Sequence, residues 1–346
     1  MSQAQWDALN ETVQTRFAEL RFTPAAIIEH SQEFPPPGPI PTDGRPFLIY
    51  RGTLSDGGGA IFKVQITPEG ESSSQREGRF LRSVAPKILE RLPEGPRTHL
   101  SLPEVVAADY DTDHPYILYR YLEGEITGPV HEVESIALEA RDVSAVAAYF
   151  TELGKVSQAE AAVWDPDLRL QLKEERPYLE INFNDGRRYW AKLLDADLID
   201  RLEAVYRKHA HLVDDAPATL KMHDVNPANL IRMPDGHLGL IDWERIGLTT
   251  NGPASSLGYF HALLWAHPEL QSVYRDTAFG LVDDPDFLPR LWMNTHLIWS
   301  RGELIHWDHS RNHGLVEEAV AETHIDGYRR ALGLAVDPDG PWAAVL

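Results

Sequence analysis

The sequence predicts an α+β chain folded as two lobes, a β-rich first third followed by a mainly helical remainder. Three observations carry that expectation. At 346 residues the chain is too long for one ordinary hydrophobic core. Runs of strand character cluster before residue 123, with turn signals between them. After Gly124 the apolar residues recur mostly at helical spacing, and one short hairpin interrupts them. The lobes are expected to meet in the Glu123–Gly124 region, so that residues 1–123 form the first and 124–346 the second.

Trp6, Leu9, Val13, Phe17 and Leu20 fall at steps of three and four, which predicts an amphipathic helix over 4–20. "EFPPPGPIPTDGRP" (33–46) is a loop, because proline lacks the donor that a helix or central strand needs. "FLIYRGTL" (47–54) and "AIFKVQI" (60–66) read as strands around the turn "SDGGG". A helix is expected over 75–91, with Phe80, Leu81, Val84 and Ile88 on one side. "EVVAADYD" (104–111) and "PYILYRYL" (115–122) read as a second strand pair. Helices are then expected at 141–157, 168–180, 196–212, 255–266, 287–307 and 315–332. Within 219–242, "LIRM" and "LGLIDW" flank "PDGH", which predicts a hairpin on a Pro-Asp-Gly turn.

Bulk composition narrows the function classes. The formal charge of −21 argues against a large nucleic-acid surface, which needs a basic footprint. The chain has no cysteine, so disulfides and thiolate metal sites are excluded. No apolar run is long enough to span a bilayer, and "MSQAQWDALN" lacks the pattern of a signal peptide, so a cytoplasmic location without a membrane partner is expected.

The chemistry centres on "MHDVNPAN" (222–229) and the downstream "LIDWE". Phosphoryl transfer needs a divalent cation to hold the phosphates and a carboxylate to take the acceptor's proton. Mg²⁺ prefers oxygen ligands and takes only a few from protein. Asn229 and Asp242 would supply them, and Asp224 would be the base. The competing reading makes Asp-x-Asn-Pro a plain turn and Asp242 a strand cap. Upstream, Lys63 lies within an apolar strand and needs an anionic partner, for which Glu77 is the candidate; otherwise strand alternation points Lys63 to solvent. Such a lysine and glutamate can hold nucleotide phosphates. The segment Leu118–Leu122, with Tyr119 and Tyr121, would place backbone groups against a base between the lobes.

In this order, "FKV" with Lys63, "REGRFL" with Glu77, "YLEGE" (121–125), "HDVNPANLI" (223–231) and "GLIDWERIG" (239–247) resemble the aminoglycoside phosphotransferase and choline kinase family. The resemblance spans roughly residues 25–330 and implies a protein-kinase-like fold. It implies that Asp224 is the catalytic base, that Asn229 and Asp242 bind Mg²⁺, and that Lys63, anchored by Glu77, binds nucleotide phosphate. The chain departs from the family pattern at Met222 and Asn226, where histidines are usual, and at Gly252 and Ser256, where acids are usual. The phosphate loop has only Gly44, which leaves Arg45 as a substitute phosphate contact. Met222 in the core and Ser256 as a hydroxyl donor are the expected braces of the catalytic loop.

In "WMNTHLIWSRGELIHWDHSRNH" (292–313), Trp292, His296, Trp299 and Glu303 share one helical face. The face reads either as a core helix or as an acceptor wall in which Trp299 stacks and Glu303, Asp308 or Arg301 fixes polar groups. "HWDH" (306–309) with His313 suggests a zinc site in which His309 and His313 share a helix face, but Asp308 sits off that face and the segment also reads as a loop, so metal is not expected there. The expected function is an ATP- and Mg²⁺-dependent phosphotransferase acting on a small-molecule hydroxyl, with GTP as an alternative donor. An AMP-transferring variant and a catalytically silent nucleotide-binding module acting through a partner stand as alternatives. The sequence leaves the acceptor and the oligomeric state open.

Overall fold

The leading helix α1 (Gln3–Leu20) buries Trp6, Leu9, Val13 and Phe17, the stripe its spacing predicts. The computed structural model describes residues 3–28, 32–33, 47–66, 71–129, 133–172, 179, 187–213 and 217–346. The α1 stripe packs on a six-stranded antiparallel sheet in the order β2-β1-β3-β4-β7-β6. Its strands are β1 (Phe22–Ile27), β2 (Gln32–Glu33), β3 (Phe47–Leu54), β4 (Gly59–Gln65), β6 (Val105–Asp109) and β7 (Tyr116–Arg120). Phe17 meets Phe62 and Tyr50 edge-on with centroids 5.1 and 5.2 Å apart, so aromatic contacts fix the helix to the sheet. Strand β1, in a stretch where no strand is assigned from the sequence, holds Pro24; the register shifts between Pro24 and Ala26, which accommodates the missing donor.

The predicted helix over 75–91 is present but divided. Helix α2 (Glu71–Arg79) runs through a π-helical stretch, Phe80–Val84, into α3 (Ala85–Arg91). Phe80, Leu81, Val84 and Ile88 are buried, in the larger core that the helical region builds. After α4 (Glu94–His99), β5 (Leu100–Ser101) pairs parallel with β11 (Leu238–Leu240). Gly124 has φ 154, and a Cβ there would meet the Arg232 carbonyl oxygen at 2.2 Å. Only glycine lets the chain cross so close to β10 (Leu230–Arg232), where β8 (Glu125–Ile126) then pairs.

The second region is helical: α5 (Ala140–Lys155), α6 (Gln158–Trp164), α7 (Ala196–His209), α8 (Pro253–Leu263), α9 (Pro268–Leu281), α10 (Phe287–Trp292), α11 (Arg301–Asn312) and α12 (Glu318–Ala335). The expected 230–242 hairpin forms from β10 and β11, and β9 (Thr219–Met222) pairs with β12 (Ile246–Thr249). The expected helix at 168–180 is corrected over its described part. Leu168, Leu170 and Leu172 alternate along an extended segment, Leu248 N donates to Gln171 O at 2.9 Å, and Leu172 bridges to Leu248. Residues 173–178 and 180 lie outside the described residues. Between α10 and α11 the chain does not leave helical form; Met293–Ser300 is π-helical. Among the described residues no helix is long and apolar enough to cross a membrane.

Candidate active site

Strand β4 carries Lys63 inward, buried at 3% exposure. Its ammonium donates to Glu77 Oε2 at 2.8 Å and to Glu244 Oε2 at 2.7 Å. Strand alternation therefore does not turn it to solvent. Burial works against its charge, but the Glu77, Glu244 and Asp242 carboxylates outweigh burial and hold its pKa above the ordinary lysine value. The Phe47 ring lies 4.4 Å from the same nitrogen. Glu77 reaches Lys63 from α2, whose place against the second region is set by Phe80 stacking 4.9 Å from Trp243.

Strand β9 delivers the loop that follows it. Met222 is buried at 3% exposure, and its amide donates to Ser256 Oγ at 3.0 Å. Ser256 thus braces the loop as an acceptor at this contact, where a donor was expected. Asn226 caps the turn Pro227–Asn229 by accepting from Ala228 N at 2.9 Å. Its amide donates to Asp224 Oδ1 at 2.6 Å, which orients that carboxylate. Asp224 Oδ2 lies 3.8 Å from the Arg245 guanidinium. Asn229 Nδ2 donates to the Asp224 carbonyl at 3.0 Å, so its amide oxygen faces the other way. Thr127, buried near the crossing at Gly124, donates to the Pro227 carbonyl at 2.9 Å.

Ile241 N donates to Asn229 O at 3.0 Å and brings Asp242 beside Asn229. Asp242 has φ 61, a left-handed conformation that aspartate tolerates better than most residues. Its carboxylate makes no hydrogen bond or ion pair among the described residues. Burial raises its pKa, Lys63 opposes that, and Glu77, Glu244 and Asp224 add to the rise. A desolvated carboxylate without a hydrogen bond, beside a free amide oxygen, suits a hard cation.

Lys63, Tyr119, Tyr121, Asn229, Asp242 and Glu244 line one cavity of about 460 Å³. Its apolar wall comes from Ile28, Phe47, Ile49, Ile61, Leu122, Ile231 and Ile241. A mostly apolar cleft with polar groups converging at one end is the usual form of a nucleotide or cofactor pocket. Tyr121 N donates to Gly59 O at 3.0 Å, and Tyr119 pairs with Ile61, so the sheet uses backbone groups in Leu118–Tyr121. Arg45 and Gly44 lie outside the described residues.

Within the field of Asp224, Trp299 stacks on Tyr259 with centroids 4.2 Å apart. Burial raises the Tyr259 hydroxyl pKa, and the fields of Glu303 and Asp224 reach it and raise it further. Glu303 is pushed up to about 7 by burial, against a hydrogen bond from Trp307 that lowers it. The expected single face does not persist. Trp292 and His296 go into the core at 0% and 2% exposure, while Trp299 is half-buried. The π-helical stretch between them adds a residue per turn, and each added residue rotates the face by about 100°. Asp308 is engaged by Arg311 at 2.5 Å and by Asn312 at 3.1 Å along α11. His309 and His313 stack at 4.0 Å, and among the described residues no group of three or more His, Asp or Glu side chains is arranged to hold a metal.

The structure thus gathers Lys63, Tyr119, Tyr121, Asn229 and Asp242 around one cleft, with Glu77 bound to Lys63 and Asp224 bound through its carbonyl to Asn229, while Tyr259, stacked on Trp299, feels both Asp224 and Glu303. Sequence reasoning missed Glu244, Arg245 and Tyr259. Glu244 sits two residues past Asp242 in "LIDWE", where its proximity to the acidic motif was the available signal. Tyr259 carried none beyond its place in an apolar helix.

A sequence profile of the phosphotransferase enzyme family matches residues 43–312. No curated protein matches the chain by sequence. Among solved structures, the apoenzyme of macrolide 2′-phosphotransferase MphH from Brachybacterium faecium is 16% identical, with 85% of this chain and 90% of that one covered at TM-score 0.50. The GDP complex of wild-type aminoglycoside 2′-phosphotransferase-IIIa is 13% identical, with 96% and 99% covered at TM-score 0.57. The streptomycin–ATP ternary complex of APH(2″)-IIa is 12% identical, with 92% and 95% covered at TM-score 0.50. At these identities the likeness speaks for the fold, which is the bilobal kinase-like one.

Proposed function

The chain belongs to the phosphotransferase enzyme family, and from that premise we propose that it moves the terminal phosphoryl group of ATP to a hydroxyl of a small molecule, with Mg²⁺. The observation that carries this reading is the convergence of Lys63, Asn229 and Asp242 at one end of the apolar cavity, with Asp224 next along the chain's own loop. The cavity would hold the nucleotide, with the base edge against Leu122 and the segment after it, since the sheet has engaged the amide of Tyr121. Lys63, fixed by Glu77, would contact the phosphates, and Arg45 would add to them from the preceding loop. Asn229 and Asp242 would hold Mg²⁺, which when bound neutralises phosphate charge.

Asp224 Oδ2 would accept the acceptor's proton, because Asn226 occupies Oδ1. The acceptor oxygen then forms the new P–O bond as the bond to the departing ADP oxygen breaks, and the proton stays on Asp224 until it leaves to solvent. Tyr259 and Trp299 would wall the acceptor, with Glu303 fixing a polar group. The division into lobes at Glu123–Gly124 and action in the cytoplasm are parts of the same reading. GTP is the alternative donor to test.

Asp224→Asn is expected to abolish turnover while nucleotide affinity stays within about twofold, since the base acts in the transition state. An ATP-consumption screen over sugars, amino alcohols, nucleosides and antibiotics supplies the acceptor. Product mass then separates transfer of phosphate, about 80 Da, from transfer of AMP. Near-normal turnover in Asp224→Asn would remove the base assignment.

A further inference from the structure

Behind Glu244 lies a second recess of about 250 Å³, separate from the apolar cavity. It is lined by Ser73, Arg76, Gln171, His223, Arg245 and Glu244, with the Ile246–Gly247 backbone. Two arginines facing one small polar recess should repel each other unless an anion sits between them. Among the described residues Arg76 makes no ion pair, and Arg245 makes one long ion pair, to Asp224 Oδ2. Arg76 is half-buried, donates to Ser73 Oγ at 3.0 Å and to the Glu244 carbonyl at 3.5 Å, and its Nε is buried without a partner. Burial depresses its pKa, and the field of Glu244 is what opposes that. Arg245 stands 3.8 Å from Asp224 Oδ2, beyond hydrogen-bond length, with 61% of its side chain exposed. The Glu244 carboxylate also borders the recess, but its Oε2 is taken by Lys63 at 2.7 Å. Guanidinium groups present five N–H donors in a planar fork, and among the described residues most of these ten meet no protein acceptor.

The geometry points to an anion-binding subsite beside the catalytic loop, taking a phosphate- or carboxylate-class group. The anion is either a substituent of the acceptor or a free ion bound next to it. The first source rests on the phosphotransferase reading; the subsite itself does not. His223, immediately before Asp224, forms one wall, and Arg245 spans from the recess to Asp224. An acid group held here would lie within reach of a hydroxyl placed at that carboxylate.

The test titrates the full chain calorimetrically with inorganic phosphate, first without nucleotide and then with MgADP saturating the cleft. Phosphate is expected to bind in both conditions. Arg76→Gln and Arg245→Gln are each expected to weaken it about tenfold or more, the effect of losing a charge-assisted contact. Arg245 is exposed, so its variant keeps the test alive if Arg76→Gln fails to fold. Absence of phosphate binding, or equal affinity in the wild type and both variants, overturns the subsite. A chain that fails to bind MgADP but binds phosphate in an arginine-dependent way defeats the nucleotide reading and leaves the subsite standing. Steady-state kinetics separates the sources. Phosphate competing with an acidic acceptor assigns the anion to the acceptor, and phosphate altering turnover of a neutral acceptor without competing assigns it to a free ion.

Discussion

Glu303 lies half-buried on α11, and burial lifts its carboxyl from 4.5 to about 7. The sign of the consequence follows from proton counting. Between those values the folded chain holds a proton there that the unfolded chain has released, so stability falls as pH rises. Below the ordinary carboxyl value both states are protonated and the penalty vanishes. Glu303→Gln should therefore melt with the wild type near pH 4 and above it from about pH 7, a window set by the raised pKa. Parallel melting profiles across a pH series would sink this. Lys63 illustrates the other outcome of burial. Its two carboxylate partners at 2.8 and 2.7 Å keep it charged where desolvation alone would neutralise it.

At the scale of elements, the loop that carries Asp224 depends on how β9, α8 and the loop itself interlock. The usual histidine is replaced by Met222, which goes into the core, and Ser256 from α8 receives its amide. Leaving that buried amide unmet costs ~1–3 kcal/mol. Ser256→Ala should then lower kcat about tenfold while KM for nucleotide changes less than about twofold, because the cost falls on the loop and not on the cleft. Unchanged kcat would mean that other contacts hold the loop. The helices show how local signals succeed and fail. Leu270, Tyr274 and Ala278 of α9 lie at steps of four, a signal that is present but short. The segment around Leu168–Leu172 alternates, which fits an extended chain as well as a helix, and pairing with β12 decides. The π-helical stretch at Met293–Ser300 sends Trp292 and Trp299 to different surroundings, which no fixed helical period foretells.

At the scale of the molecule, the first lobe stands on α1. Phe17 meets Phe22, Tyr50 and Phe62 and closes the core over the sheet that carries Lys63. Phe17→Ala should cost about 3–5 kcal/mol, the range for deleting a buried ring. Urea denaturation reads the loss, and a midpoint matching the wild type would contradict the assigned packing. The two regions meet through Lys63–Glu244, through Phe80 on Trp243, and through Asp142, which binds His99 at 2.6 Å and Arg232 at 2.8 Å. The cleft and the arginine-lined recess both lie against these meeting points, on either side of Glu244.

The sequence by itself determined the α+β order, the stripe of α1, the 230–242 hairpin and the residues of the phosphotransfer motifs. Periodicity and short spacings are local, and each motif lies within a few residues of chain. Tertiary structure alone decided that Lys63 has Glu244 as a second partner, 181 residues away, and that Ser256 accepts the Met222 amide 34 residues off. It also decided that Tyr259 stacks on Trp299 and that Arg76 and Arg245 share a recess. Pairings across such separations are set by how the two regions dock, and a single chain's residue order carries no record of the distance between side chains that meet only after docking.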